Sequence, residues 1–370
     1  SPSMHLCELK LRDFRNYEEL DFTAAPGVNL IVGDNAQGKT NLLEGLVYLG
    51  SGRSWRTQKS AELVRFGDAF ADLEAKVFSE GREQTLRSVI FPGKRPRQLW
   101  RNGVKKKSAG ECAGVLNTVL FCPEDLALIK SGAAERRSFL DQAICQLRPR
   151  YAEALSQYNK LLDHKTRILR DWEKNPGLLN VLEDFNEAMA RAGALVIHYR
   201  AHFVKKLAVK AAQIQEEFSG GREDLSLSYH TVSTVADPLG PTVEIYEAIR
   251  RHQDSHSRAE LEARSCLSGP HKDDLIAMIG GQPARQFASQ GQTRTAALSL
   301  KLAERELFQD DTGQWPILLL DDVLSELDPG RQDFVLNQIS EGQVFITCCE
   351  PGRFTKLGKT IEIERGQVVI

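Results

Sequence analysis

The chain has 370 residues, 41% hydrophobic and 26% charged, with 48 Lys and Arg against 50 Asp and Glu. This is ordinary globular composition, which excludes collagen-like, disordered and small disulfide-stapled scaffolds and implies two or three structural units with a large core. A net charge of −2 also excludes a polycation that coats nucleic acid through bulk charge, so a nucleic-acid role requires a local basic patch.

No apolar run approaches the roughly 18 residues that cross a bilayer, and the first residues lack the pattern of a secretory leader. A soluble, cytoplasmic protein is expected. The seven cysteines (Cys7, Cys112, Cys122, Cys145, Cys266, Cys348, Cys349) are odd in number, scattered and without a CxxC pair. They read as small buried hydrophobes in a reducing compartment.

In chain order, Leu6, Leu9, Leu11 and Phe14 alternate with polar residues as in a half-buried strand, and Val28–Val32 is an apolar strand followed by a Gly-rich turn and a helical run over 39–49. Strand patterns follow at 69–78, 84–91, 97–100 and 115–121, and Asn102-Gly103 predicts a hairpin between 98–101 and 104–107. Beyond Pro123 the pattern becomes helical over 133–172 and 178–218, with a break at Asn175-Pro176-Gly177. A strand at 225–232, a break at 237–241 and a helix at 243–264 lead to Gly269-Pro270. Strands at 275–279, 317–320 and 344–347 then alternate with helices at 293–309 and 331–340. The expected fold is α/β, with a body built from both chain ends (4–122 and 266–370) and interrupted by a mostly helical arm (123–265).

Gly33-Asp34-Asn35-Ala36-Gln37-Gly38-Lys39-Thr40 matches GxxxxGK[ST] in full, after an apolar strand and at a helix start. The mechanism requires that context: the glycines let backbone wrap a phosphate, the N–H groups supply partial positive charge, Lys39 reaches the β- and γ-phosphates and Thr40 offers its hydroxyl to Mg²⁺. A second element, Ile317-Leu318-Leu319-Leu320-Asp321-Asp322, delivers two carboxylates at the C-terminal end of an apolar strand. Asp321 is the expected Mg²⁺ partner, and Asp322 the group that orients or deprotonates the attacking water. By itself such a strand end reads as a helix cap or solvated turn; the P-loop changes that balance.

Ala288-Ser289-Gln290-Gly291-Gln292 precedes a helix and lies 32 residues before Asp321 (321 − 289). A Ser-x-Gly-Gln turn at a helix N-terminus makes a second phosphate-binding surface, or simply a loop capped by Ser289. Residues 94–107 hold Lys94, Arg95, Arg97, Arg101, Lys105, Lys106 and Lys107, no acid, and Trp100. This run reads either as a DNA surface acting through counterion release or as a charged sheet edge. Arg136 and Arg137 are comparable candidates. His198 with His202 and His252 with His256 have i,i+4 spacing without an HExxH pattern and read as ordinary helix faces.

Taken together, the P-loop, Phe121-Cys122-Pro123-Glu124-Asp125, Gly269-Pro270-His271-Lys272-Asp273-Asp274, Ser289-Gln290-Gly291-Gln292-Thr293-Arg294-Thr295 and Leu320-Asp321-Asp322-Val323-Leu324-Ser325-Glu326-Leu327-Asp328 resemble the RecF family over nearly the whole chain. The resemblance implies an ABC-type ATPase head related to those of SMC proteins, without a long coiled coil, in which Ser289–Gln292 is the signature that contacts the γ-phosphate held by an opposite subunit. It further implies ATP and Mg²⁺ as cofactors and weak, DNA-stimulated hydrolysis. The implied activity is an ATP-dependent homodimer that clamps DNA at gaps or single-strand/double-strand junctions and helps RecR and RecO to load RecA. It also allows a nucleotide contact at Arg12, Phe14 or Arg15, and a metal contact at Glu124. Two features depart from ABC enzymes: Asp322 stands where many have Glu, and Thr347-Cys348-Cys349 stands where they have a switch histidine. Three alternatives share some of these motifs: a transporter's ATP-binding subunit, a small-molecule kinase using the P-loop, and a non-hydrolysing scaffold.

Overall fold

The computed structural model describes residues 3–350 and 352–369. Its strands are β1 (His5–Phe14), β2 (Tyr17–Thr23), β3 (Val28–Val32), β4 (Ala71–Ser79), β5 (Arg82–Ile90), β6 (Gln98–Arg101), β7 (Val104–Lys106), β8 (Thr118–Phe121), β9 (Leu225–His230), β10 (Asp274–Ile279), β11 (Gln282–Pro283), β12 (Ile317–Asp321), β13 (Val344–Cys348), β14 (Lys359–Glu364) and β15 (Gln367–Val368). Its α-helices are α1 (Ala36–Ser51), α2 (Ser60–Leu63), α3 (Ala133–Leu147), α4 (Pro149–Asp171), α5 (Leu182–Ser219), α6 (Thr242–Ala263), α7 (Ala284–Phe287), α8 (Gln290–Thr312) and α9 (Pro329–Gln338).

The chain forms two compact units, one from the residues up to Leu126 and from Leu300 onward, the other from Ala127–Ser299. Residues 266–299, expected with the body, lie in the second unit. The reason is strand pairing: β10 runs antiparallel to β9 over six residue pairs, from Asp274 opposite His230 to Ile279 opposite Leu225.

The first unit holds two six-stranded sheets. One is antiparallel, in the order β2-β1-β4-β5-β6-β7; the other has the order β15-β14-β3-β13-β12-β8, in which β14, β3, β13, β12 and β8 are parallel. Every residue of β8, β12 and β13 is buried, which explains their continuous apolar runs. Leu42, Leu43 and Leu46 of α1 share one core with Leu9, Leu11 and Leu73 of the antiparallel sheet and Leu319 and Phe345 of the parallel sheet. Helix α1 is thus held by its apolar side, with its N-terminus at the ends of β3 and β12.

The second unit packs α3 to α6 with the three-stranded sheet β11-β10-β9. Its buried cations are each matched to a carboxylate. Arg200, 2% exposed, pairs with both Asp141 oxygens at 3.1 Å and donates to Tyr229 Oη (3.1 Å) and the Pro270 carbonyl (2.9 Å). Lys165 and Glu260, both buried, meet at 2.9 Å. Gly269, at φ 119°, abuts Tyr158: a Cβ there would lie 2.0 Å from the phenol oxygen. The Gly269–Asp274 motif is therefore a packing junction, and its His271, bonded to Tyr158, is pushed down to about 4 by burial.

Three differences from the sequence expectation have local causes. Strand β2 lacks strict alternation because Glu18 and Glu19 are both exposed between buried Tyr17 and Leu20. The helical run at 133–172 is two helices, divided at extended Arg148 before Pro149, which opens α4. Strand β14 offers only Ile361 and Ile363 as buried residues among polar ones.

Candidate active site

The P-loop follows β3 because Gly33 leaves room for the chain to turn: a Cβ there would lie 2.6 Å from the Ile363 carbonyl oxygen. Asn35 caps α1, accepting from Gln37 N (3.0 Å) and Gly38 N (3.3 Å). Tyr17 Oη donates to the Gly38 carbonyl, fixing the loop from β2. Asp34, Asn35, Ala36 and Gln37 are exposed, whereas Gly38 and Lys39 are buried.

Lys39 is 3% exposed, yet its ammonium meets only neutral groups, the Gly33 carbonyl at 2.6 Å and Cys349 Sγ at 3.3 Å. Thr40 Oγ1 donates to Asp321 Oδ2 at 2.9 Å. Asp321, 7% exposed, also accepts from Thr347 Oγ1 at 2.8 Å on Oδ1. Burial raises its pKa, with Asp322 and Glu124 adding to the rise and the Thr347 and Thr40 hydrogen bonds opposing it. Among the described residues, neither Lys39 nor Asp321 forms an ion pair. Two buried groups of opposite charge are thus bonded directly to dipoles alone, which is costly unless a ligand supplies the missing charges.

Asp322 adopts φ 55°, a left-handed conformation that Asp tolerates better than most residues. Its N–H donates to Thr347 Oγ1 (2.9 Å), and its Oδ1 accepts from Ser325 Oγ (3.1 Å). Asp328 then caps α9 through Arg331 N at 3.0 Å. Lys39, Thr40, Asp321 and Asp322 are in this way assembled around the ends of β3, β12 and β13. A cleft of about 650 Å³ opens beside the P-loop, lined among others by Asn16, Gly33, Lys39, Glu364, Arg365 and Gly366.

A divalent cation fits the Thr40–Asp321 pair. Both donors are oxygens, and their 2.9 Å separation is close to the roughly 3 Å edge of a Mg²⁺ octahedron with bonds of about 2.1 Å. Among the described residues no cluster of three or more His, Cys, Asp or Glu is built to hold a metal. Mg²⁺ characteristically keeps waters and phosphate oxygens around it and takes few protein ligands.

The Ser289–Gln292 turn belongs to the second unit. Ser289 Oγ accepts from Gln292 N (3.2 Å) while Gln292 Oε1 accepts from Ser289 N (2.9 Å), a reciprocal cap on the 23-residue α8. Ser289 and Gln290 are exposed, and Gly291 and Gln292 half-buried. Both readings of this turn meet here: Ser289 caps the helix, and the capped terminus presents N–H groups at the surface.

The predicted hairpin forms, with Asn102 (φ 51°) and Gly103 (φ 79°) at its turn and β7 on the sheet edge. Its basic residues divide. Arg97 packs on Tyr48 and donates to its hydroxyl (3.2 Å), Arg95 stacks on Phe91 (3.8 Å), and Arg101 bonds Gln84 and the Glu111 carbonyl. Lys94, Lys105 and Lys107 are exposed, and Lys106 half-buried. Arg136, a sequence candidate for DNA contact, is a structural residue instead. It is 3% exposed and grips Asp274 with two bonds of 2.7 and 3.0 Å while donating to three carbonyls. Arg137 donates to the Asp273 carbonyl at 2.9 Å.

Phe14 is wholly buried in the core, so it cannot meet a nucleotide. Arg15 is bound to buried Glu44 at 2.7 Å, and Arg12 faces Glu19 at 3.9 Å. Glu124 is exposed and raises the Asp321 pKa through its charge. The histidine pairs are ring contacts along helices, with centroids 4.5 Å apart for His198–His202 and 3.8 Å for His252–His256. Sequence reasoning missed Arg56, which reaches Gln37 (2.7 Å), Asn41 (2.7 Å) and Glu44 (3.4 Å) beside the P-loop. It also missed the β14–β15 turn along the cleft; neither carries a spacing that links it to the P-loop.

The RecF/RecN/SMC N terminal domain matches residues 5–369. The chain belongs to the RecF family. The DNA replication and repair protein RecF of Clostridium kluyveri is 37% identical over 93% of both chains, and that of Agathobacter rectalis 38% identical over 99% of both. A solved structure of the recombination mediator RecF with ATPrS, described as part of the RecFOR pathway, is 35% identical, covers 99% of this chain and 98% of its own, and superposes with a TM-score of 0.91. The Smc head domain of Pyrococcus furiosus, 16% identical with a TM-score of 0.54 over 99% of this chain and 95% of its own, shares the fold. The fold is therefore the ABC-type ATPase head of RecF and SMC proteins, and the transporter-subunit and kinase readings give way to it.

Proposed function

We propose that this RecF-family chain is a DNA repair ATPase that binds Mg²⁺-ATP and uses it to time its grip on DNA. The observation that carries the reading is the pair of buried, uncompensated charges at Lys39 and Asp321, with Thr40 beside Asp321. Lys39 exchanges the Gly33 carbonyl for β- and γ-phosphate oxygens, Thr40 and Asp321 hold Mg²⁺, and the loop N–H groups from Gly33 to Gly38 cradle the phosphates. A cation held by Thr40 and Asp321 would supply charge neutralisation for the phosphates. Asp322 orients the attacking water, and hydrolysis is slow.

In this reading Ser289–Gln292 of one copy closes on the nucleotide of a second copy, so that ATP makes a homodimer around DNA at gaps or single-strand/double-strand junctions. Lys94, Lys105, Lys106 and Lys107, with the outer faces of Arg95, Arg97 and Arg101, supply phosphate contacts. RecR, RecO and RecA are the partners, in the cytoplasm. No helix among the described residues is long and apolar enough to cross a membrane.

The test is molar mass in solution with Mg²⁺-ATP, with and without duplex DNA, for the wild type, Lys39→Met and Ser289→Arg. An ATP-dependent dimer lost in both variants is expected. A protein that binds ATP but stays monomeric on DNA overturns the clamp.

A further inference from the structure

Thr347 belongs to β13, and the parallel register places it directly opposite Asp321 of β12. Its hydroxyl makes two bonds of opposite sense. It donates its only proton to Asp321 Oδ1 at 2.8 Å and accepts the Asp322 N–H at 2.9 Å. At 2% exposure, no bulk water competes for either bond. With Oδ1 taken by Thr347, Oδ2 of Asp321 is the oxygen that faces Thr40. The second bond holds the peptide that enters Asp322, whose left-handed φ of 55° places its carboxylate against Ser325.

We propose that Thr347 is a positioning residue for both carboxylates of the site, aiming Asp321 at the cation and holding Asp322 in the turn from which it acts on water. One hydroxyl thus does two tasks, at the segment where ABC enzymes place a switch histidine. The inference rests on the reading of Asp321 as cation ligand and Asp322 as the hydrolytic carboxylate.

The consequence is a defect that depends on the cation. Replacing the hydroxyl by a methyl group of the same shape strands a buried carboxylate oxygen and a buried N–H together. Thr347→Val is therefore expected to lower ATP affinity about tenfold with Mg²⁺ present, leave it within twofold in EDTA, and lower turnover about a hundredfold. Thr347→Ser keeps the oxygen and should lie within threefold of wild type in every measurement. Thr347→Cys, a weaker donor and acceptor, should fall between the two, at least fivefold down in Mg²⁺-dependent affinity.

Affinity is read by calorimetric titration of ATP with Mg²⁺ and with EDTA, turnover by phosphate release, and folding by thermal melting of each variant. Should the Val variant not fold, the Ser–Cys difference decides. Equal Mg²⁺-dependent affinity in Ser, Cys and wild type overturns the proposal, as does a Ser variant as impaired as Val. Asp321→Asn and Asp322→Asn separate the layers. If Asp321→Asn keeps Mg²⁺-dependent affinity or Asp322→Asn keeps turnover, the underlying reading falls. If both lose those properties while Thr347→Val keeps them, only the role of Thr347 falls.

Discussion

The ion pairs of the second unit and the P-loop site of the first bury charge in opposite ways. In the second, Arg200 meets Asp141, Arg136 meets Asp274 and Lys165 meets Glu260, each with further hydrogen bonds. In the first, Lys39 and Asp321 are as deeply buried but meet only carbonyl, thiol and hydroxyl groups. Away from its site the first unit pairs Glu44 with Arg15 and Arg56, while its buried Arg305 rests on the Gln338 and Glu341 carbonyls and the Trp315 ring. A saturated pair holds helices together; an unsaturated pair stores an unfavourable desolvation that a ligand of complementary charge relieves. The same amount of burial therefore marks structure in one place and a binding site in the other.

The strongest test of that contrast is Arg200→Met. It leaves Asp141 without its cation, and a loss of about 3–5 kcal/mol is expected in urea unfolding of the second unit. An unchanged midpoint would show that the network contributes nothing. Next in size is the pH response of the same unit. Burial, with Lys272 and Arg137 nearby, holds the folded His271 down to about 4, below its ordinary 6.5. Its unfolded imidazole takes up a proton in that window and the folded one largely does not, so stability is complete above about 6.5 and falls as pH drops toward 4, by about 2.5 kcal/mol at pH 4.5. His271→Asn should remove that part of the pH dependence, compared by thermal melting at pH 7 and pH 4.5.

Lys39→Met should behave in the reverse manner to Arg200→Met. Removing an uncompensated buried charge is expected to leave the melting temperature unchanged or higher, within about 1 kcal/mol, while the stabilisation of the wild type by Mg²⁺-ATP disappears. A variant that melts far below wild type would assign Lys39 a structural role. The smallest effect on stability belongs to the hairpin edge. Lys105→Ala with Lys107→Ala should leave unfolding unchanged because both side chains are exposed, yet reduce the salt slope of DNA binding by about one to two. An unaltered slope would return these lysines to the role of sheet-edge charges.

Much of this was legible in the chain itself. The P-loop sits on a strand-to-helix turn with fixed spacing, and Asp321 follows the four apolar residues 317–320 of its strand, because phosphate cradles and metal carboxylates need those backbones locally. The hairpin was equally plain, since Asn102-Gly103 specifies its own turn. Arg136 shows the limit: its charge and its place at a helix start are the same whether it faces solvent or Asp274, and only the fold decides. Arg56, Asn16 and the turn at Glu364–Arg365 were silent for the same reason, being brought to the P-loop by packing and not by a recognisable spacing.

The sequence by itself determined the elements, the phosphate loop, the acidic strand end and the family, because each is encoded by residues close together in the chain. Tertiary structure alone decided which charges are compensated and which are left open. It brought Thr347 between Asp321 and Asp322 and Cys349 to Lys39, since strand order and register, set by burial of whole sheets, determine which side chains meet across long sequence separations.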